Sequence, residues 1–474
     1  MESNVVTILL LCVVLKKKIY NIFLTQNNNY TKSQMQLSFI DLFSGIGGFR
    51  IGFEKACKKK NIKTTCVFSS EIKEAAKYVY KENFKSNVSG DITKIKSGDI
   101  PNFDILLAGF PCQAFSSAGN RRGFMDTRGT LFFEIERIIK AKKPKGFILE
   151  NVEGLVKHDL AKKNDKIGRT LDTILNCLNN LGYNVTWSLL NAKNFGLAQN
   201  RNRIFIVGSK KKTVSLDDFR IVNKKFKDIQ QKNIKYPQSD FFKLLLSKFN
   251  SNDLYGKSIK DKRGGANNIH SWDLEVKGKI NLKQRKLLNT ILTQRRRKHW
   301  ALKNKIDWMD GMPLTLDHIY SFYGSPSLFE KGMDKKELKE LLNALVEKGY
   351  LKFEYPKISK KIKTEKGTII KRVENTNSNK GYNIVVGKLS FEISKIIDPN
   401  DLTPTLVATD LGKLGVVDQK KLRRLTNIEC LRLFGFDDKF KLNINQNKIY
   451  DLFGNSIAIN VVEAVSERLL KSLK

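Results

Sequence analysis

From Leu37 to Gly208, short apolar runs recur between segments whose apolar residues fall three and four positions apart. That alternation predicts strands separated by helices, and so an α/β sheet of parallel strands. The strand-like runs are LSFIDLF, CVFSSEI, FDILLAG, GFILENV, NVTWSLL and RIFIVG. Between the fourth and the fifth, TLDTILNCLNNLGY carries Leu171, Ile174, Leu175, Leu178 and Leu181 at helical spacing, with Gly182 as the stop. These side chains are expected in the core.

After Gly208 the sequence becomes lysine-rich with weak periodicity until about residue 395, which predicts a second domain over 209–395. One stretch there is better patterned. In MDKKELKELLNALVEKGYLKFEYP the leucines line one helical face, Asp334 and Glu337 suit a capping box, Gly349 ends the helix and YLKFEY reads as a strand. With PLTLDHIYSFYG before it, 313–356 resembles a helix-turn-helix with a wing, although an ordinary helix–strand packing unit has the same pattern. From 396 to 474 compact sequence returns, with RRLTNIECLRLFGFDD and DLFGNSIAINVVEAVSERLL, and is expected to rejoin the first domain, 35–208. Residues 1–34 read as a tail outside that pattern. Their apolar stretch VVTILLLCVVLKKK is short for a bilayer and has neither basic residues before it nor a small-residue cleavage site, so no export signal is expected. Translation starting at Met35, immediately before the first strand, is the simpler expectation.

The chain has 474 residues, with 86 Lys and Arg against 47 Asp and Glu, a net charge of +39. A surface so biased attracts polyanions, nucleic acid first, through counterion release; a general richness in lysine would give the same count. The six cysteines, Cys12, Cys57, Cys66, Cys112, Cys177 and Cys430, form no C-x-x-C and no cluster with histidine. Neither a zinc site nor a disulfide framework is indicated, and a reducing cytoplasm is expected.

FIDLFSGIGGFRIGF has the form of a strand, a glycine turn and a helix start, which lets a ligand approach the backbone. It is not the dinucleotide fingerprint, because Arg50 stands where the third glycine is required. Glu71 in SSEIK and Asp91 in SGDIT follow, read as acids at the ends of the second and third strands. One carboxylate there can accept two ribose hydroxyls and the other an adenine amino group, so together they describe a pocket for adenosine without a phosphate clamp. In LLAGFPCQAFSSAG the proline cannot continue a strand, and Cys112 is expected on a rigid exposed loop at the carboxyl edge of the sheet, where α/β enzymes hold their chemistry. In LAQNRNRIFIVG, strand alternation would set Gln199, Arg201 and Arg203 on one face.

The ordered set DLFSGIGGF, GFPCQAFS, ENV, QNRNR, RRLTNIECLRLFGF and FGNSI resembles the DNA cytosine-5 methyltransferases of bacterial restriction-modification systems. The resemblance covers both ends of the chain and skips the middle. It implies a Rossmann-like S-adenosylmethionine-dependent methyltransferase domain, with a smaller, irregular target-recognition domain inserted before the C-terminal motifs. It further implies that Cys112 attacks C6 of a flipped-out cytosine, that a protonated Glu150 bonds N3, that Arg203 touches the base and that Arg201 braces the thiol loop. The methyl donor would be held by Phe43, Gly45, Ile46, Gly48, Glu71, Ile72, Asp91, Ile92, Pro111, Asn455 and Ser456, with no metal. The implied partners are double-stranded DNA and a restriction endonuclease acting on the same site, with no membrane and a monomeric enzyme. TQRRRKHW, from Arg295 to Trp300, and KIDWMDGMPLT are basic or polar stretches suited to phosphates and base edges, or equally to a plain solvated face. Two readings compete: a tRNA cytosine-5 methyltransferase, since one branch of the family uses these motifs on RNA, and a non-catalytic DNA-binding protein that keeps the fold. The long basic middle region favours duplex DNA.

Overall fold

The computed structural model describes residues 16, 35–111, 131–162, 164–303, 311–323, 333–364, 367–386 and 391–473, without the side chains of 361–370. Residues 1–34 apart from 16, and residues 112–130, which include Cys112 and its expected rigid loop, lie outside the described residues. The chain divides into two compact units, 1–224 with 431–474, and 225–430. Packing therefore breaks at other points than composition. Beyond the last strand of the sheet, Val214 and Leu216 still belong to the core of the first unit, and Leu414–Asp418 and Lys421–Arg424 pair inside the second.

The first unit is a six-stranded sheet flanked by helices: β1 (Gln36–Leu42), α1 (Gly48–Lys59), β2 (Lys63–Ser70), α2 (Glu74–Phe84), β3 (Ile105–Gly109), α3 (Leu131–Lys142), β4 (Gly146–Val152), α4 (Arg169–Asn180), β5 (Asn184–Asn191) and β6 (Asn202–Ser209). The strand order is β2-β1-β3-β4-β6-β5. All six apolar runs are strands, and Leu171, Ile174 and Leu178 are buried on α4. Helix α1 and the C-terminal helix Ile459–Ser472 share one core with β1, β3 and β6, while α3 and α4 share another. Gly52 lets α1 lie against that C-terminal helix, since a Cβ there would come within 2.6 Å of Val462.

The expectation of an all-parallel sheet needs one correction: β6 runs antiparallel to both β4 and β5. A parallel return requires a crossover, normally a helix, whereas the link 192–201 holds only the single turn Ala192–Asn194. The consequence is functional, because the start of β6 comes to the same edge as the end of β4, with Val152 opposite Arg203 and Glu150 opposite Phe205.

Asp41 on β1 is fully buried, and among the described residues neither of its carboxylate oxygens has a hydrogen-bond partner. Burial raises its pKa well above the usual carboxylate range, against the pull of Arg50. A carboxyl raised on folding contributes stability that is complete below its unfolded pKa and is lost as the pH rises through the folded one. Asp41→Asn cannot ionise, so its melting temperature relative to the parent should increase steadily between pH 5.5 and 8.5. A constant difference across that range in thermal-melt scans would show that Asp41 does not fold protonated.

In the second unit, α5 (Leu282–Gln294), a short helix Lys298–Lys303, α6 (Leu316–Tyr323) and α7 (Lys335–Glu347) come in that order before β7 (Leu351–Glu354), the hairpin β8 (Lys357–Thr364) and β9 (Gly367–Glu374), and β10 (Gly381–Ile384). Asp334 is the N-cap of α7, but its side chain makes no capping bond and Glu337 pairs with Lys283 at 2.9 Å, so the expected capping box is absent. Gly349, at φ 76°, follows the helix end. In TQRRRKHW, Arg295 and Trp300 are buried, and Arg295 donates to Asn383 Oδ1 at 2.7 Å. In KIDWMDGMPLT the described Met312 and Leu314 are core, and residues 305–310 lie outside the description. Arg295, Trp300, Met312 and Leu314 are thus scaffold, while Arg297, Lys298 and His299 stay exposed. RRLTNIEC is also scaffold here: Arg423, 1 % exposed, bonds Glu429 at 2.8 Å and Asp418 at 3.1 Å. Such a pair holds its elements firmly, since removing one partner leaves a buried charge uncompensated.

Candidate active site

Strand β1 lies between β2 and β3, so the chain passes from β1 to β2 on one side and then crosses back over β1 to β3 on the other. That reversal opens a crevice at the carboxyl ends of the strands. A cleft of about 430 Å³ lies there, within the first unit, in the size range of small-ligand sites. It is lined from the end of β1 (Phe43, Gly45), of β2 (Glu71, Ile72), of β3 (Gly109, Phe110, Pro111), of β4 (Glu150, Asn151), from the start of β6 (Arg201, Arg203), and from Leu452 to Ser456 near the C-terminus.

One half is built on the glycine turn. Phe43 has φ 55°, a left-handed conformation costly for a residue with a Cβ and typical of ligand sites. Gly47, at φ 87°, admits no side chain, because a Cβ would stand 2.3 Å from the Phe84 ring. Glu71 braces the turn by accepting from Gly45 N at 2.9 Å and from Ile72 N and Lys73 N at 2.8 Å. Ile72 is 69 % exposed, a flat apolar surface beside those carboxylate oxygens. Asp91 lines the same half with Ile92, though not from the end of β3: it follows the single bridge Ser70↔Ser89 and caps the short turn Ile92–Lys94. Its Oδ1 accepts from Thr93 N and Oγ1, which lower its pKa. Ile46 and Gly48 are buried behind the turn, where Gly48 packs on Ile457, and do not line the cleft. Asn455 and Ser456 close the far wall, and Lys73 spans it to Asp451 at 2.7 Å.

The other half is charged and enclosed. Glu150 and Arg203 pair at 3.0 Å with side-chain exposures of 12 % and 14 %. The pair forms because residues 150 and 203 occupy one face of neighbouring antiparallel strands, two positions out of register. Burial raises the Glu150 pKa, and the attractions of Arg203 and Arg201, with the Arg203 hydrogen bond, only partly offset it. Strand alternation does not carry Gln199 and Arg201, which precede β6. Gln199 is fully buried and donates to Leu433 O at 3.1 Å. Arg201 donates to Ser456 O at 2.6 Å and lies 5.3 Å over the Phe434 ring, so it ties the β6 start to the C-terminal wall.

Asn151 was not singled out by the sequence reading, yet it is 1 % exposed and donates to Phe110 O at 3.2 Å, immediately before Pro111. It fixes the backbone that leads to Cys112. The signal was its place in ENV beside Glu150, a buried amide with no role of its own in the motif. Leu131 and Leu452 also line the cleft and carry no such signal.

The C-5 cytosine-specific DNA methylase family profile matches residues 37–471. The type II methyltransferase M.NlaIV of Neisseria lactamica is 54 % identical over 439 residues, 92 % of this chain and 100 % of that protein. M.NgoBV of Neisseria gonorrhoeae, also a type II methyltransferase, has the same identity and coverage. M.BanI of Aneurinibacillus aneurinilyticus is 41 % identical over 462 residues, 92 % of this chain and 96 % of that protein. With the profile spanning residues 37–471 and its length matched almost end to end, this chain belongs to the C-5 cytosine-specific DNA methylase family.

Proposed function

We propose that the protein methylates C5 of a cytosine flipped out of duplex DNA, through a transient bond between Cys112 and C6. The observation that carries this reading is the part-buried Glu150–Arg203 pair in the cleft into which Pro111 leads. A cytosine inside a helix cannot present C6 to a thiol, and extrusion costs about a few kcal/mol. Once extruded, the base meets the enclosed half of the cleft. The Cys112 thiolate adds to C6, and the electron density released toward N3 is met by protonated Glu150, whose raised pKa suits a proton donor. Arg203 orients that carboxyl and offers its remaining N–H groups to the base carbonyl. After C5 has taken its methyl group, loss of the C5 proton expels the thiolate.

S-adenosylmethionine fits the other half. Glu71 and Asp91 are acceptors for ribose hydroxyls and an exocyclic amine, Ile72 offers an apolar face for a ring, and the glycine turn keeps side chains away. When bound, this cofactor supplies an electrophilic methyl group. Phe43, Gly45, Ile92, Pro111, Asn455 and Ser456 would hold it, with Ile46 and Gly48 shaping the turn from behind. Glu71→Ala should weaken cofactor binding by about 10–100-fold, the scale of charge-assisted hydrogen bonds, with DNA affinity little changed. An unaltered cofactor titration would remove Glu71 from the pocket.

In this reading the enzyme is a cytoplasmic monomer that protects the site cut by a partner endonuclease; the type II relatives support the last part alone. Among the described residues no helix is long and apolar enough to cross a membrane. Incubation with labelled donor should place label in duplex DNA, and bisulfite sequencing should then give the modified position. Label in tRNA alone would reverse the choice of substrate.

A further inference from the structure

We propose that α5, α6, α7, β7, the β8–β9 hairpin and β10 act as a winged-helix unit that holds duplex DNA, with α7 in a groove and the strands of the hairpin against the phosphate backbone. The proposal rests on the reading of duplex DNA as substrate and adds the surface that grips it. Three helices pack on a small antiparallel sheet in which β10 pairs with β7 on one side and meets Leu314 on the other. A single core unites Leu287, Leu288 and Ile291 of α5, Ile319 of α6, and Leu338 and Leu342 of α7 with the sheet. The chain order is α5, the short helix Lys298–Lys303, the bridging Leu314, α6, α7, strand, hairpin, strand, so a winged-helix order carries one extra short helix, packed into the core by Trp300 and Ala301. In that arrangement α7 and the hairpin are the elements left to meet a ligand.

Both are dressed for nucleic acid, in different ways. The hairpin sequence KISKKIKTEKGTIIKRVE has seven basic residues against two acids. Its register sets Lys360 directly opposite Lys371, with Arg372 opposite Ser359. Lys360, Lys371 and Arg372 are exposed, and none is ion-paired among the described residues. Like charges directly opposite each other destabilise a two-stranded ribbon, so the hairpin bears a cost that a polyanion would remove. Helix α7 buries Leu338, Leu342 and Leu345 and turns Lys336, Lys339 and Glu340 outward. That face is nearly charge-balanced, and its lysines and glutamate suit guanine acceptors and the cytosine amino group. Grip and reading thus fall to separate elements.

The test uses the full chain and fluorescence-anisotropy titration of a duplex oligonucleotide that the wild type methylates. Lys360→Glu with Lys371→Glu and Arg372→Glu should lower affinity at least about tenfold and flatten the dependence of log K on log salt by about 2–3, roughly 0.9 per lost phosphate contact. Cofactor affinity should stay unchanged. Lys360→Gln alone should melt at or above the wild-type temperature, since it relieves repulsion; a lower melting temperature would assign the lysine a structural role instead. Lys336→Ala with Lys339→Ala and Glu340→Ala should cut discrimination between the methylated site and single-base variants about tenfold, with less change in salt slope. Wild-type affinity and slope in the hairpin variant, or a loss confined to structured RNA, would overturn the winged-helix assignment. Methylation of DNA by that variant would then leave the catalytic reading standing, whereas a wild type inert on DNA would sink the catalytic reading.

Discussion

Cys112→Ala is expected to reduce methyl transfer to duplex DNA by a factor on the order of 10⁴–10⁶, the scale on which loss of a covalent nucleophile registers. Cytosine C5 is not nucleophilic enough to take a methyl group unaided, so without addition at C6 no weaker route of comparable rate is available. DNA affinity and cofactor affinity should persist, because the proposed phosphate grip and the glycine-turn half of the cleft are built from other residues. A duplex carrying 5-fluorocytosine separates covalent catalysis from mere proximity. The adduct forms and is methylated, but fluorine cannot leave C5 as a proton does, so the Cys112–C6 bond stays closed and the complex survives denaturing electrophoresis. The alanine variant should give no such band. Measurable turnover by Cys112→Ala, or no adduct from the wild type with donor bound, defeats the mechanism.

The strands were legible because each is a short apolar run bounded by polar residues, and β4 coincides with GFILENV residue for residue. The direction of β6 was not legible, since periodicity does not encode polarity; the decisive clue is the absence of a helix between β5 and β6. In the site, Glu71 was readable as an acid at a strand end, and Glu150 only through the resemblance that ENV helps to carry. Their partners were not: Gly45 N on Glu71 and Arg203 on Glu150 depend on which strands become neighbours. Arg295 shows the converse failure, for a run of three arginines suggests a solvated grip, yet its first member is needed inside to bond Asn383. The hairpin, by contrast, gave a compositional signal, seven bases in eighteen residues, which acquires meaning only when the register sets Lys360 against Lys371.

Glu150→Gln should lower kcat/KM by about 10²–10⁴, the usual contribution of general acid–base catalysis. The glutamine amide can still donate a hydrogen bond toward N3 and remains the right size, so affinity for the duplex should change little. What it cannot do is release a proton. The pH profile distinguishes that loss from a general disturbance of the cleft. Under the proposed mechanism activity needs Cys112 deprotonated and Glu150 protonated, so the rate should rise with pH as the thiol ionises and fall as the carboxyl does. Because burial raises the Glu150 pKa, the falling limb is displaced upward from the ordinary carboxylate range. In Glu150→Gln that limb should vanish while the rising limb, set by the thiol, stays. A variant that keeps both limbs at reduced height would mean that the proton on Glu150 is not the one the reaction uses, and would reassign the carboxyl to positioning Arg203.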